Sequence, residues 1–307
     1  MQAERIKWDF QNIAYGPDAS QRFDMVCGKK NVHAIVYIHG GAYFKGNRME
    51  YPSFMTDYSR NNLIATIDYR VVKVDNDINM GDILCDVNDA LIKITDLSNE
   101  NGIKIKDFIL IGHSAGGHIA LLYGYKNFQK NKKIKIAACI SMAGPADFTD
   151  DTGWSSMEMW GEDMGTRLAF LSWMGTRLTD YKKLTGNSIE LTQNNWTKQR
   201  NYSEFKKYLE GISPVSYVPK MGRLPPTLLV HARGDDQVPY SNPVRLTRLL
   251  DETSTPHKLI TPVGSANSHM LGGMVFEEHS PFIFNNQPWV NEAKEWVGAC
   301  LKAGKTD

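Results

Sequence analysis

A serine set among small residues, Gly112-His113-Ser114-Ala115-Gly116-Gly117, carries the clearest chemistry in this chain. It follows the apolar run Phe108 to Ile111 and precedes a helical pattern from Ala115 to Tyr125. The spacing therefore predicts a strand, a sharp turn bearing Ser114, and a helix. Glycine at 112 and 116 lets such a turn close without Cβ clashes, and the turn projects the hydroxyl from the strand end into a cleft. A serine so placed suits attack on a carbonyl carbon. That chemistry has two further needs: rigid N–H donors for the charge that builds on the carbonyl oxygen, and a base, oriented by a carboxylate, for the hydroxyl proton.

His39-Gly40-Gly41-Ala42-Tyr43 follows the β-branched run Val32 to Ile38 and answers the first need. Small residues allow close backbone approach, so the N–H groups of Gly41 and Ala42, with that of Ala115, are the candidate oxyanion donors. His39 reads as a hydrogen-bonding brace for this loop rather than as the base. For the acid and base, chain order guides the choice. The strand pattern Thr227 to Val230 leads into His231-Ala232-Arg233-Gly234-Asp235-Asp236-Gln237-Val238-Pro239, and Lys258 to Thr261 leads toward Asn267-Ser268-His269-Met270. Both loops leave the carboxyl ends of strands, where open α/β sheets carry their sites. Ser114, an aspartate at 235 or 236, and His269 give the order Ser, Asp, His. Asp235 and Asp236 stand as neighbouring alternatives, and His279 rivals His269. His257 precedes its strand and falls at the opposite edge, His113 points away from Ser114, and His118 lies on the following helix. His231 with Asp235 and Asp236 could be read as metal ligands, but no third ligand cluster accompanies them.

The elements that must position these residues alternate between strand and helix patterns, which predicts an α/β fold with a mostly parallel central sheet flanked by helices. Ile6 to Tyr15 and Arg22 to Cys27 read as a leading antiparallel pair, and Leu63 to Ile67 as a strand buried on both faces. Ile83, Leu84, Val87, Leu91, Ile94 and Leu97 recur at helical spacing and mark one buried face. Ile134 to Met142 reads as a strand, and Val244 to Leu250 and Val290 to Leu301 as helices. The stretch Asp147 to Pro219 is too long for a connection and is read as an insertion. Residues 1–146 and 220–307 then form the core, and 147–219 a cap. Four of the seven Trp fall in the cap, and Trp154, Trp160 and Trp173, with Tyr43, are the candidate substrate contacts. The same tryptophans would also serve as the cap's own small core. Met164 to Leu168 recurs as Met174 to Leu178, an offset that turns the copies about 80° apart on a helix.

Composition narrows the function classes. With 35 Lys+Arg against 34 Asp+Glu in 307 residues and no long basic run, the chain lacks the electrostatic footprint of a nucleic-acid or membrane-surface binder. A small molecule is the expected partner, and the acyl-transfer chemistry read at Ser114 would make it a small-molecule ester. No run reaches the roughly 18 apolar residues of a membrane span, and Met1 to Phe10 carries no signal-peptide pattern. The chain reads as cytoplasmic, with secretion open had a leader been removed. Cys27, Cys85, Cys139 and Cys300 form no CxxC pair and read as reduced thiols. The Ser, Asp, His chemistry asks for no cofactor or metal.

HGGAYFKGN at 39–47, GHSAGGHIA at 112–120 and GDDQVP at 234–239 together resemble the α/β-hydrolase superfamily. Specifically, they look like the bacterial carboxylesterases of the feruloyl/acetyl-xylan-esterase-like and hormone-sensitive-lipase-like groups, with arylformamidases as close kin. The resemblance covers nearly the whole chain. It implies an α/β-hydrolase fold with a cap, and a serine carboxylesterase acting on short-chain acyl or aryl esters through an acyl-enzyme. An arylformamidase or other amidase on the same residues is the alternative, and a non-catalytic binding module a more distant one. In that family the acid stands four residues before the proline of D-x-x-V-P, which implies Asp235, with oxyanion donors at Gly41, Ala42 and Ala115. Ala42 stands where many relatives have a third glycine, which keeps the N–H but narrows the space for a bulky acyl or alcohol group.

Overall fold

The computed structural model describes residues 6–28, 32–52, 54–59, 62–73, 76, 78–127, 134–149, 209–221, 224–235, 237–262 and 288–303. At its centre is an eight-stranded sheet in the order β1-β2-β4-β3-β5-β6-β7-β8. The leading pair β1 (Phe10–Ala14) and β2 (Arg22–Val26) is antiparallel, and β2 also runs antiparallel to β4 (Leu63–Ile67). β3 (Val32–Ile38), β5 (Ile105–His113), β6 (Ile136–Met142), β7 (Thr227–Val230) and β8 (His257–Ile260) continue the sheet from β4 in parallel. Parallel neighbours need crossovers. Among the described residues these include α1 (Met55–Ser59), α2 (Met80–Glu100), α3 (Ala115–Asn127), the short α4 (Val218–Met221) and α5 (Ser241–Glu252), with α6 (Pro288–Ala303) closing the chain.

Successive strand residues feed two separate cores. Val36, Ile38, Ala65, Leu110 and Leu229 pack with α2, α3 and α5, whereas Ile35, Tyr37, Ile109, Ile140 and Val230 pack with Met55 of α1 and Trp289 and Val297 of α6. Side chains alternate across a strand, so a sheet covered on both faces needs continuous apolar runs, which is why these strands are so legible. α2 opens on a capping box: Asn79 Oδ1 accepts from the Asp82 N–H while Asp82 Oδ2 accepts from the Asn79 N–H. Its buried face holds the predicted aliphatics except Leu97, which is only partly buried, and also Asp86, fully buried, which accepts hydrogen bonds from the Arg70 guanidinium and Gln21 Nε2. On α3, Gly124 rides so closely over β6 that an added Cβ would lie 2.3 Å from Cys139 Sγ.

The ends of the long insertion are stitched together. The Phe148 N–H donates to Ser213 Oγ at 2.9 Å, the Val215 N–H to the Ala146 carbonyl at 3.1 Å, and Asn242 Oδ1 accepts from the N–H groups of Ala146 and Asp147. Phe148, Leu209, Ile212, Val215 and Val218 all belong to the α2–α3 side of the core. Residues 150–208, with Trp154, Trp160, Trp173, Trp196 and both copies of the repeated pentapeptide, lie outside the described residues. Among the described residues no helix is long and apolar enough to cross a membrane.

Candidate active site

The parallel strands end together along one edge. Ile38 pairs with Gly112 and Gly112 with Ser141, while Met142 pairs with Val230 and Val230 with Ile260. Hydrogen bonds continue the alignment beyond the strands, from the Ser114 N–H to the Met142 carbonyl at 2.8 Å, from Ala143 to Val230 at 2.8 Å and from His231 to Ile260 at 3.0 Å. The sequence-predicted residues 39–42, Ser114 and Asp235 therefore follow the ends of β3, β5 and β7 along one edge of the sheet, with β6 between the last two.

Ser114 sits between β5 and α3 with φ of 50°, in the left-handed region that L-residues adopt reluctantly. Its carbonyl already accepts the first α3 bond, from the His118 N–H. The two flanking glycines make this turn possible. A Cβ on Gly112 would fall 2.1 Å from the Gly116 carbonyl, and one on Gly116 would fall 2.0 Å from the Ile38 carbonyl oxygen. The first turn of α3 thus presses backbone to backbone against the end of β3, where the 39–43 loop begins. A Cβ on Gly40 would lie 3.3 Å from Ser114 Cβ, so the loop and the serine are immediate neighbours.

The loop takes an unusual path. Gly41, Ala42 and Tyr43 have φ of 101°, 49° and 65°, and the Gly41 carbonyl accepts from the N–H groups of Phe44 and Lys45. Gly41 could not be replaced, since its Cβ would meet the Lys45 carbonyl at 2.2 Å. His39 is the brace expected of it: buried, stacked on Tyr69 with ring centroids 4.2 Å apart, and donating from Nδ1 to the Gly40 carbonyl. Burial pushes the His39 pKa down, against the opposing pull of that carbonyl and of Asp68, so the ring is held neutral. Farther on, the Arg48 guanidinium ties the loop to Asp24 on β2 and to Asp68 after β4.

Asp235 is buried just after β7, and its carboxylate is held on both sides. Oδ1 accepts from the N–H groups of Gln237 and Val238, each at 2.9 Å, and Oδ2 lies 3.1 Å from His231 Nε2. His231 Nε2 also faces the Val238 carbonyl at 2.9 Å. Both partners only accept, so this nitrogen carries the proton. His231 Nε2 is thus turned toward the carboxylate and the Val238 carbonyl.

Asp236, His269 and His279 lie outside the described residues, as do the candidate contacts Trp154, Trp160 and Trp173. His257 opens β8 and lies at the amino end of the sheet, as predicted. Tyr43, expected among the substrate contacts, is fully buried, with its hydroxyl on His118 Nδ1 at 2.6 Å. Sequence reasoning set His118 aside as a base and passed over Tyr69. Their partners are 75 and 30 positions away, and no local spacing reveals such pairs.

A family model described as BD-FAE matches residues 26–250, well over half of the chain. The chain belongs to the BD-FAE family. The BD-FAE match takes in the 39–43 loop, Ser114 and Asp235, and ends before β8 and residue 269. A search of curated proteins finds no match. Among solved structures, an inhibited esterase B from Lactobacillus rhamnosis has a TM-score of 0.67 at 15% identity, over 98% of this chain and 90% of that one. A truncated carbohydrate esterase from gut microbiota has a TM-score of 0.63 at 16% identity, over 95% and 96%. Esterase 2 of Thermogutta terrifontis has a TM-score of 0.56 at 16% identity, over 90% and 86%. With the sheet order and the BD-FAE match, these likenesses establish the α/β-hydrolase fold.

Proposed function

We propose that this BD-FAE family chain is a serine carboxylesterase that cleaves short-chain acyl or aryl esters through an acyl-enzyme. Ser114 is the nucleophile, His269 the base, Asp235 the orienting acid, and Gly41, Ala42 and Ala115 supply the oxyanion donors. The observation that carries this reading is the left-handed Ser114 at the end of β5, lying against the Gly40 backbone. A nucleophile and a loop built for close backbone approach, side by side at a strand edge, suit acyl transfer. Solved structures of the same fold that are themselves esterases lend support.

In this mechanism His269 takes the proton of Ser114 Oγ as that oxygen bonds to the ester carbonyl carbon, and the oxyanion donors receive the developing charge. The tetrahedral intermediate collapses, and the alcohol leaves with the proton from His269. Water then attacks the acyl-enzyme by the same route and releases the acid. Asp235 fixes the imidazole tautomer and stabilises its cation. Each carboxylate oxygen can accept two hydrogen bonds, so Oδ2 can serve His231 and the base together. The reading extends to the 147–219 insertion as a cap whose Trp154, Trp160 and Trp173 contact substrate, supported by the joined ends of that insertion.

Hydrolysis of p-nitrophenyl acetate and butyrate by wild type and by Ser114→Ala tests the reading. Turnover is expected to fall at least about a thousandfold in the variant. Unchanged turnover would overturn it, and N-formylkynurenine in the same panel reads the preference between ester and formamide.

A further inference from the structure

We infer that Tyr43 and His118 are positioning residues that hold the oxyanion loop at a fixed distance from the nucleophile; the inference rests on the esterase reading above. The loop reaches Ser114 through three consecutive residues with positive φ, two of them not glycine. Such a path persists only where the surroundings over-determine it. Two backbone features act within its own neighbourhood: the turn closed on the Gly41 carbonyl, and the Tyr43 carbonyl, which accepts from the Val72 N–H at 2.8 Å. Neither reaches the helix that carries the other half of the site.

The Tyr43 side chain does. His118 stands on the first turn of α3, four residues after Ser114, and is fully buried. Its Nε2 lies 2.7 Å from the Ile212 carbonyl, which only accepts, so Nε2 carries the proton. A neutral ring then has its lone pair on Nδ1, and the Tyr43 hydroxyl donates to it at 2.6 Å. Burial supports this state by pushing the His118 pKa down to about 4. The ring is further fixed edge-on to Phe148, with centroids 5.0 Å apart. A chain of two hydrogen bonds thus runs from the loop bearing Gly41 and Ala42, through the helix that starts beside Ser114, to the segment returning at Ile212. Its length sets the separation between the loop donors and Ser114 Oγ, and an oxyanion is stabilised only by donors already in place.

The variants Tyr43→Phe, which removes only the hydroxyl, and His118→Gln test this, each compared with wild type and Ser114→Ala on p-nitrophenyl acetate. Active sites are counted by complete labelling with a fluorophosphonate, and rates are recorded well below each variant's Tm. For each variant, kcat per labelled site is expected to fall about 10- to 100-fold with little change in KM. Inhibition by an alkyl trifluoromethyl ketone, whose adduct presents an oxyanion to the same donors, should weaken by the same factor as kcat/KM. The double variant should be no worse than the poorer single one, because the two side chains act as one unit. A purely structural role would lower Tm and leave kcat per site and ketone affinity at wild-type values. That result in either soluble variant overturns the inference while the esterase reading stands. If Ser114→Ala keeps wild-type turnover, it is the esterase reading that fails.

Discussion

Asp235 shows how far a single carboxylate can be specified by its surroundings. Two backbone N–H groups face Oδ1 and an imidazole N–H faces Oδ2, so donors meet both oxygens. An asparagine here must turn its NH2 group toward a donor on one side or the other. Asp235→Asn is therefore expected to lose about 1–3 kcal/mol of stability. Under the esterase reading it also lowers kcat by about 10³- to 10⁴-fold, because the base is left in the wrong tautomer. Asp236→Asn should stay within a few-fold of wild type. Urea denaturation and ester hydrolysis on the two variants check both expectations. In the sequence the two aspartates are adjacent and equally acidic, and only resemblance to a family pattern separates them. The turn that collects the two N–H groups is invisible until Gln237 and Val238 have folded back on residue 235. Ser114 was legible for the opposite reason: its steric demands fall on Gly112 and Gly116, within two positions of it.

At the scale of elements, the apolar periodicity located the strands and helices, and the misplaced ends have polar causes. β5 begins at Ile105 rather than Phe108, because Lys106 and Asp107 break the apolar run while Asp107, nearly buried, pairs with His33 on β3. α5 begins at Ser241, with Pro243 in its first turn, where the missing N–H costs no helical bond. α3 carries a titratable group that the apolar pattern disguised. His118 has its pKa pushed from the ordinary 6.5 down to about 4 by burial, with the Ile212 carbonyl acting in the opposite direction. Unfolding returns the ring to water. Between pH 6.5 and about 4 the unfolded chain then binds a proton that the native chain does not, so stability rises with pH across this window and is lost as pH falls through it. The shift corresponds to on the order of 3 kcal/mol over the whole window. Thermal melts through that range should show the acid-side fall in wild type and a shallower one in His118→Gln.

For the whole molecule, the sequence predicted a mostly parallel sheet but not the strand order, because β3, β5 and β6 have nearly interchangeable compositions. Hydropathy records how deeply a strand is buried and says nothing of its neighbours. The order is fixed by crossovers packing on both faces, which also brings residues 39, 114 and 235 to one edge. The close seat of Gly124 over Cys139 turns this packing into a timekeeper. Cys139 is fully buried, its thiol pKa is raised by burial, and there is no space above its sulfur even for a methyl group. An alkylating reagent can reach it only when α3 lifts from β6, an event that dismantles the centre of the core. Cys85, exposed on α2, offers an internal standard that reacts without waiting. In native protein, peptide mapping after iodoacetamide treatment should find Cys85 modified at once. Cys139 should be modified at a rate that tracks global unfolding in added urea, so that one ordinary thiol dates each opening of the molecule.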